Sequence, residues 1–251
     1  MFPEERHALI CSLIDKNGRV TVTDLARRFD VTEDCIRKDL KQLAANGKCQ
    51  RVYGGATRTQ NGEERNVVKR LTMFQPEKQT IAHKALEFIE PKQIIYLDIS
   101  STNLYLAQLI AQSDIACTVV SPMIDILTAL ATTSNVTAIC PGGTISAELN
   151  GFVGAVAVDA LKRFRFEMAF IGAYGVDSES REVTTYDADD GLLKRCAIEC
   201  AGRSYLVCES RKFSTLGNYH FASFEDFDAL ICDDEDIAAI EQVQAAGLDV
   251  L

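Results

Sequence analysis

From Val20 to Ala56 the apolar positions recur at two successive helical spacings. Leu25, Ala26 and Phe29 fall at i, i+1 and i+4, and Ile36, Leu40, Leu43 and Ala44 at i, i+4, i+7 and i+8, so each set makes one buried helix face. Asp30-Val31 leaves room only for a turn, and Thr32 can cap the second helix by accepting an orphan backbone N–H. Upstream, Leu9, Ile10, Leu13 and Ile14 predict a bracing helix that starts near Pro3 and stops at Asn17-Gly18. Downstream of Asn46-Gly47, the alternation in KCQRVYGGATR and its Gly54-Gly55 pair predict a two-stranded hairpin. Together these elements predict a small winged helix-turn-helix domain over residues 1–58.

The texture then changes twice. Thr59 to Phe74 is polar, mixed in charge and aperiodic, and predicts a linker over 59–75 that contains a short helix. Beyond Pro76 a helix over Lys78 to Ile89 leads into alternating segments. The strands are Ile94 to Leu97, Ala116 to Val120, Val136 to Ile139, Met168 to Ile171, Tyr205 to Cys208 and Ala229 to Ile231. The helices are Thr102 to Ala111, Met123 to Thr132, Val156 to Phe164, Leu192 to Ala201 and Ile237 to Ala246. Continuous apolar strands between amphipathic helices predict a larger, mostly parallel α/β domain over 76–251, covered on both faces. In such sheets ligands bind outside the carboxyl ends of the strands.

Charge sharpens this division. Residues 1–58 hold eleven lysines and arginines against eight acids, and the rest hold fifteen against twenty-eight, within a total of −10. A modestly basic head on an acidic body suits a head that meets phosphate while the body avoids non-specific attachment. On the outer side of the second helix stand Arg37, Lys38 and Lys41, with Glu33, Asp34 and Cys35 in its first turn. Such a helix can lie in a major groove with its N-terminal side chains toward base edges. Arg51 and Arg58 would fall near the DNA backbone if the hairpin is a wing; the alternative is that it only closes the domain core.

No run of about 18 apolar residues exists, and the charged, amphipathic start is not a signal peptide, so a cytoplasmic location without membrane contact is expected. Nine cysteines without a Cys-x-x-Cys pair read as buried thiols. Cys196 and Cys200 sit at i and i+4, but none of His7, His83 and His220 is near them in sequence, so no metal is expected.

At the strand ends, Asp98-Ile99-Ser100-Ser101-Thr102 places hydroxyls and free N–H groups at a helix N-terminus, either as an anion cradle or as simple capping. Pro141-Gly142-Gly143-Thr144 lets backbone approach a ligand closely. Gly172 to Asp177 lacks the spacing of a dinucleotide fingerprint, and no cofactor is expected. Asp190 and Lys194, at i and i+4, read by themselves as a surface pair worth about 0.3–0.5 kcal/mol.

The head resembles the DeoR family of bacterial transcriptional regulators through Val20, Val22, Leu25, Ala26, Phe29, Val31, Thr32, Ile36, Arg37, Asp39, Leu40, Leu43, Gly47, Arg51, Gly54 and Gly55. The body resembles the same family's C-terminal sensor, a fold shared with ribose-phosphate isomerases, so the resemblance runs from about Pro3 to Asp249. It implies DNA binding by Thr21, Thr32, Glu33, Asp34, Cys35, Arg37, Lys38, Lys41, Arg51 and Tyr53. It also implies effector binding by Asp98, Ser100, Ser101, Thr102, Gly142, Gly143, Gly172, Asp177, Lys194 and Lys212, with the phosphate of a sugar phosphate on the loop after the first sensor strand. Ser100 replaces the usual loop glycine, Glu209 an Asp, Arg211 a Ser, and Val120-Ser121-Pro122-Met123 a Thr-Asn-Asn-like turn; Cys35 replaces a Thr.

The expectation is a regulator of transcription, a repressor of a sugar catabolic operon that binds double-stranded operator DNA as a homodimer or homotetramer and is released by a sugar phosphate. Few phosphate contacts per head require paired half-sites. The alternative is a phosphosugar isomerase with an appended DNA-binding head, for which Asp98, Asp177 or Asp190 would move the proton.

Overall fold

The protein is described here from a computed structural model, which covers residues 3–17, 19–46, 48–52, 54–58 and 67–251. The chain divides into two compact units, residues 1–64 and 65–251.

In the first unit α1 (Pro3–Asn17), α2 (Val22–Phe29) and α3 (Glu33–Ala45) pack around Ile10, Ile14, Leu25, Ile36, Leu40 and Leu43, all nearly inaccessible to solvent. Leu25, Ile36, Leu40 and Leu43 come from the two spacings and Ile10 and Ile14 from the upstream stripe, while Ala26, Phe29 and Ala44 are only partly buried. Thr21 caps α2 by accepting from Asp24 N at 3.1 Å, Asp30 closes it in the left-handed region, and Thr32 caps α3 by accepting from Cys35 N at 3.3 Å. The sheet has three strands rather than two. β1 (Arg19–Thr21) pairs antiparallel with β3 (Gly55–Arg58), which pairs with β2 (Cys49–Val52). Three residues between two helices are too few to show an alternation.

The second unit is built on six parallel strands. In chain order they are β4 (Ile94–Leu97), β5 (Cys117–Val120), β6 (Val136–Ile139), β9 (Phe166–Gly172), β12 (Ala201–Val207) and β14 (Ala229–Ile231). Their order across the sheet is β14-β12-β9-β4-β5-β6. Alternate residues enter separate cores: Ile95, Leu97, Met168 and Phe170 one, Tyr96, Ala169 and Ile171 the other. Burial on both faces is why these strands read as unbroken apolar runs. From β4 the chain runs outward to β6, then returns to the other side of β4 at β9. The topological switch point therefore lies between the ends of β4 and β9.

Several elements differ from the sequence reading. A hairpin of β7 (Thr144–Ser146) and β8 (Gly151–Val153) follows Pro141-Gly142-Gly143. A separate antiparallel sheet joins β10 (Gly175–Asp177), β11 (Glu182–Thr185) and β13 (Tyr219–Ser223). Both use strands of three to five residues, too short for a period. The helix expected from Leu192 is α9 (Ala188–Glu199), capped by Asp187, and residue 201 already belongs to β12. Gly191 lies inside this helix and serves close packing: a Cβ there would lie 2.3 Å from the Tyr219 ring.

Residues 59–66 fall outside the described residues. Of the rest of the expected linker, α4 (Val67–Arg70) packs into the second unit. Val67 is fully buried and its N–H donates to Glu148 O at 3.1 Å. The next helix, α5, spans Gln75–Leu86, three residues earlier than the apolar stripe suggests, because Pro76 opens it.

Candidate functional site

Two regions carry the chemistry, one in each unit. In the first, α3 presents Arg37, Lys38 and Lys41 outward, as expected. Arg37 is engaged on its own helix: its guanidinium donates to Glu33 at 2.5 Å and Asp34 at 2.7 Å, and Thr23 Oγ1 donates to Glu33 at 3.1 Å. Exposed i,i+4 pairs contribute only about 0.3–0.5 kcal/mol, so Arg37 can exchange them for a guanine edge, worth about 1–3 kcal/mol. Thr21 and Thr32 are spent as caps. Cys35 turns sideways, its sulfur accepting from Arg6 Nη2 at 3.4 Å. Arg51 lies on β2, and Tyr53 falls outside the described residues.

Sequence spacing did not reveal the buried cluster behind α3. Asp39 accepts from Arg6 Nε at 2.6 Å and pairs with His7 Nε2 at 3.0 Å, which ties α3 to α1. Burial pushes the Asp39 carboxyl up, but the bonds from Arg6 and His7 outweigh it and hold the group below its ordinary value.

In the second unit a cavity of about 250 Å³ opens at the switch point. It is lined by Arg70, Ile99, Ser100, Glu148, Leu149, Gly172, Ala173, Tyr174, Thr185, Tyr186, Asp187, Asp190, Lys194 and Asn218. Its volume is below the ~300–1,000 Å³ typical of drug-sized pockets, which suits one sugar-sized metabolite. Lys194 is not on the surface. It is 3% exposed and bridges two buried carboxylates, donating to Asp98 and lying 3.5 Å from Asp190 Oδ1. Thr185 Oγ1 donates to Asp190 at 2.7 Å, and the Gly172 N–H donates to Asp98 at 2.8 Å. Burial raises the Asp190 carboxyl to about 6 against the pull of Lys194, and Asp98 adds to the rise. Tyr174 and Tyr186 meet edge to face, 4.3 Å between ring centres, and form an aromatic wall.

Of the ten expected effector residues, Ser100, Gly172 and Lys194 line this cavity, with Asp98 directly behind Lys194. A Cβ on Gly172 would lie 2.6 Å from Ser100 Cβ, so that glycine sets how closely the two loops meet. Ser101 and Thr102 are buried in the first turn of α6 (Ser101–Gln112) and do not line the cavity. Gly142 and Gly143 shape the approach to the β7–β8 hairpin; Gly143, at φ +125, packs against Val153 O and Ala157. Asp177 accepts from Glu179 N at 2.9 Å in a turn. Lys212 stands behind the wall, donating to Ala173 O at 2.9 Å and pairing with Glu209 at 2.9 Å. Burial alone would raise Glu209, but Lys212, Arg211 and Lys78 hold it down at about 2. The sequence reading missed Arg70, Glu148, Asn218 and both tyrosines as lining residues, and it took Asp190 for surface.

With this geometry in hand, residues 6–61 match the DeoR-like helix-turn-helix domain and residues 74–234 the DeoR C terminal sensor domain. This chain belongs to the DeoR family of transcriptional regulators. An "L-fucose operon activator" of Haemophilus influenzae is 31% identical over 234 residues, covering 91% of each chain. A "putative aga operon transcriptional repressor" of Escherichia coli is 29% identical, covering 98% of this chain and 93% of its own. A "glycerol-3-phosphate regulon repressor" of the same species is 26% identical, covering 95% and 94%. Among solved structures, a D-ribose-5-phosphate isomerase in complex with phospho-erythronic acid aligns with a TM-score of 0.39 and 18% identity over 54% of this chain and 52% of its own. A likeness that weak says nothing of activity. As a member of this family the protein is a DNA-binding regulator, and among the described residues no helix is long and apolar enough to cross a membrane.

Proposed function

We propose that this DeoR-family protein represses a sugar catabolic operon and leaves its operator when a phosphorylated sugar enters the switch-point cavity. The observation that carries the reading is the cavity's composition. Carboxylates for hydroxyl donors, two cations for an anion and an aromatic wall for a sugar's apolar face surround a space of one sugar's size. The printed names of the relatives, which mention fucose, aga and glycerol-3-phosphate regulons, point the same way. In this reading the head is residues 1–58, joined through 59–75, whose helix Val67–Arg70 packs with the second unit, to a sensor over 76–251, in a cytoplasmic homodimer or homotetramer that reads paired half-sites.

In the complex Arg37 and Lys38 meet the major groove, Lys41 and Arg51 the phosphates. The effector acts through unequal affinity for the operator-bound and free arrangements. Arg37→Ala lowers operator affinity by about 1–3 kcal/mol in a gel shift at fixed salt, and unchanged affinity rejects the groove assignment. A thermal-shift screen of pentose and hexose phosphates, followed by gel shift with each hit, tests the effector arm. Turnover of a hit by the purified protein instead supports an isomerase-like enzyme and rejects the sensor.

A further inference from the structure

Arg70 is the cation of the cavity lining that the family resemblance did not single out. It closes α4, the first helix of the second unit. Its backbone is fixed from two directions. Lys78 Nζ donates to Arg70 O at 2.5 Å and to Met73 O at 2.6 Å, and three residues upstream Val67 bonds Glu148 O. The Arg211 guanidinium lies 3.8 Å over the Phe74 ring, which holds the segment just beyond.

The side chain, in contrast, is left unanswered. Among the described residues no carboxylate lies within 4 Å of the Arg70 guanidinium, and its Nε is buried without a hydrogen-bond partner. The other cation of the lining, Lys194, already bridges Asp98 and Asp190. Burial pulls the Arg70 pKa below its ordinary value, more than the attraction of Asp190, Glu209 and Asp98 offsets. An arginine cannot escape that situation by losing its proton, so a half-buried guanidinium with no ion-pair partner among the described residues attracts an anion from outside. Its planar fork fits two oxygens of a phosphate at once.

We infer that Arg70 is the anion anchor of the cavity: its guanidinium takes the phosphomonoester of the effector bidentately, while Lys194, Asp190 and Thr185 take sugar hydroxyls. The inference rests on the effector reading above and moves the phosphate from the Ser101-Thr102 turn, which does not line the cavity, to α4. It carries a regulatory consequence. Arg70 follows closely, in chain order, the residues that join the units, so an anion held there ties occupancy to the stretch leading back to the DNA-binding head.

The test uses the full-length protein, a panel of hexose and pentose phosphates and the matching unphosphorylated sugars, with binding followed by thermal shift and calorimetry. Wild type binds a panel phosphate more tightly than its parent sugar. Arg70→Gln weakens that phosphate by about 10- to 100-fold while leaving the parent sugar and operator binding as in wild type, and Arg70→Lys keeps part of the preference. Retention of the full preference in Arg70→Gln overturns the anchor alone. If wild type binds no panel member, the effector reading falls and the anchor with it. If Arg70→Gln loses operator binding as well, its folding is at fault, and the decision passes to Arg70→Lys: an undiminished preference there overturns the anchor and a reduced one supports it.

Discussion

Replacing Lys194 by methionine removes the positive charge between Asp98 and Asp190 while keeping most of the side-chain volume. The three groups are 1–3% exposed, so water compensates little for the lost ammonium. Stripping one partner from a buried ion cluster costs about 3–5 kcal/mol. The two carboxylates would then repel, and one must take up a proton. Asp190 is the candidate, because burial already holds it at about 6 with Lys194 present. A carboxyl whose folded pKa stands above its unfolded value favours the folded state at low pH and loses that advantage as pH rises through the folded pKa. If losing the ammonium raises Asp190 by ~2 more on the pH scale, the deficit measured at pH 8 shrinks by ~2 kcal/mol at pH 5. Urea unfolding of wild type, Lys194→Met and the double variant with Asp190→Asn at both pH values reads this directly. The double variant should recover much of the loss at pH 8. A deficit under about 1 kcal/mol, or one equal at the two pH values, would refute the buried-cluster reasoning.

Two further changes test the scaffold around the cavity. Glu209→Gln removes a carboxylate held at about 2, against an ordinary 4.5; that group contributes stability above about pH 4.5 and loses it as pH falls toward 2. The expected cost at pH 7 is about 3 kcal/mol, and Lys78, which burial pulls down to about 8 against the attraction of Glu209, is pulled down further once that carboxylate is gone. The variant should show a flatter acid limb in unfolding, and an unchanged limb rejects the assignment. Gly172→Ala forces a Cβ to within 2.6 Å of Ser100 Cβ; overpacking of this kind costs about 1–3 kcal/mol by thermal unfolding and should weaken any ligand that touches Ser100.

The parts legible in the sequence are those that repeat. Leu25, Phe29, Ile36 and Leu40 announce two helices because a buried helix face needs one period, and the strands from Ile94 to Ala229 announce a parallel sheet because both faces are buried. The short strands of the β10-β11-β13 sheet have no period to show, and the polar first turn of α9, Ala188 to Gly191, carries no apolar stripe. Of the cavity lining, Ser100, Gly172 and Lys194 were named in the sequence, through the family resemblance and not through spacing. Asp190 and Lys194 looked like a surface pair because i,i+4 spacing does not reveal which way a helix faces, and Asp98 meets Lys194 across 96 positions of chain. Arg70 lay in a polar stretch whose packing depends on Glu148 and Lys78, neither of which local composition connects to it.

The carboxylate of Asp39 has an outcome for how the operator is read. Because Arg6 and His7 both grip it, the tilt of α3, the helix proposed to meet the groove, is inherited from α1. Substitutions at Arg6 or His7, outside the proposed DNA-contacting set, should therefore retune which half-site sequences the protein prefers.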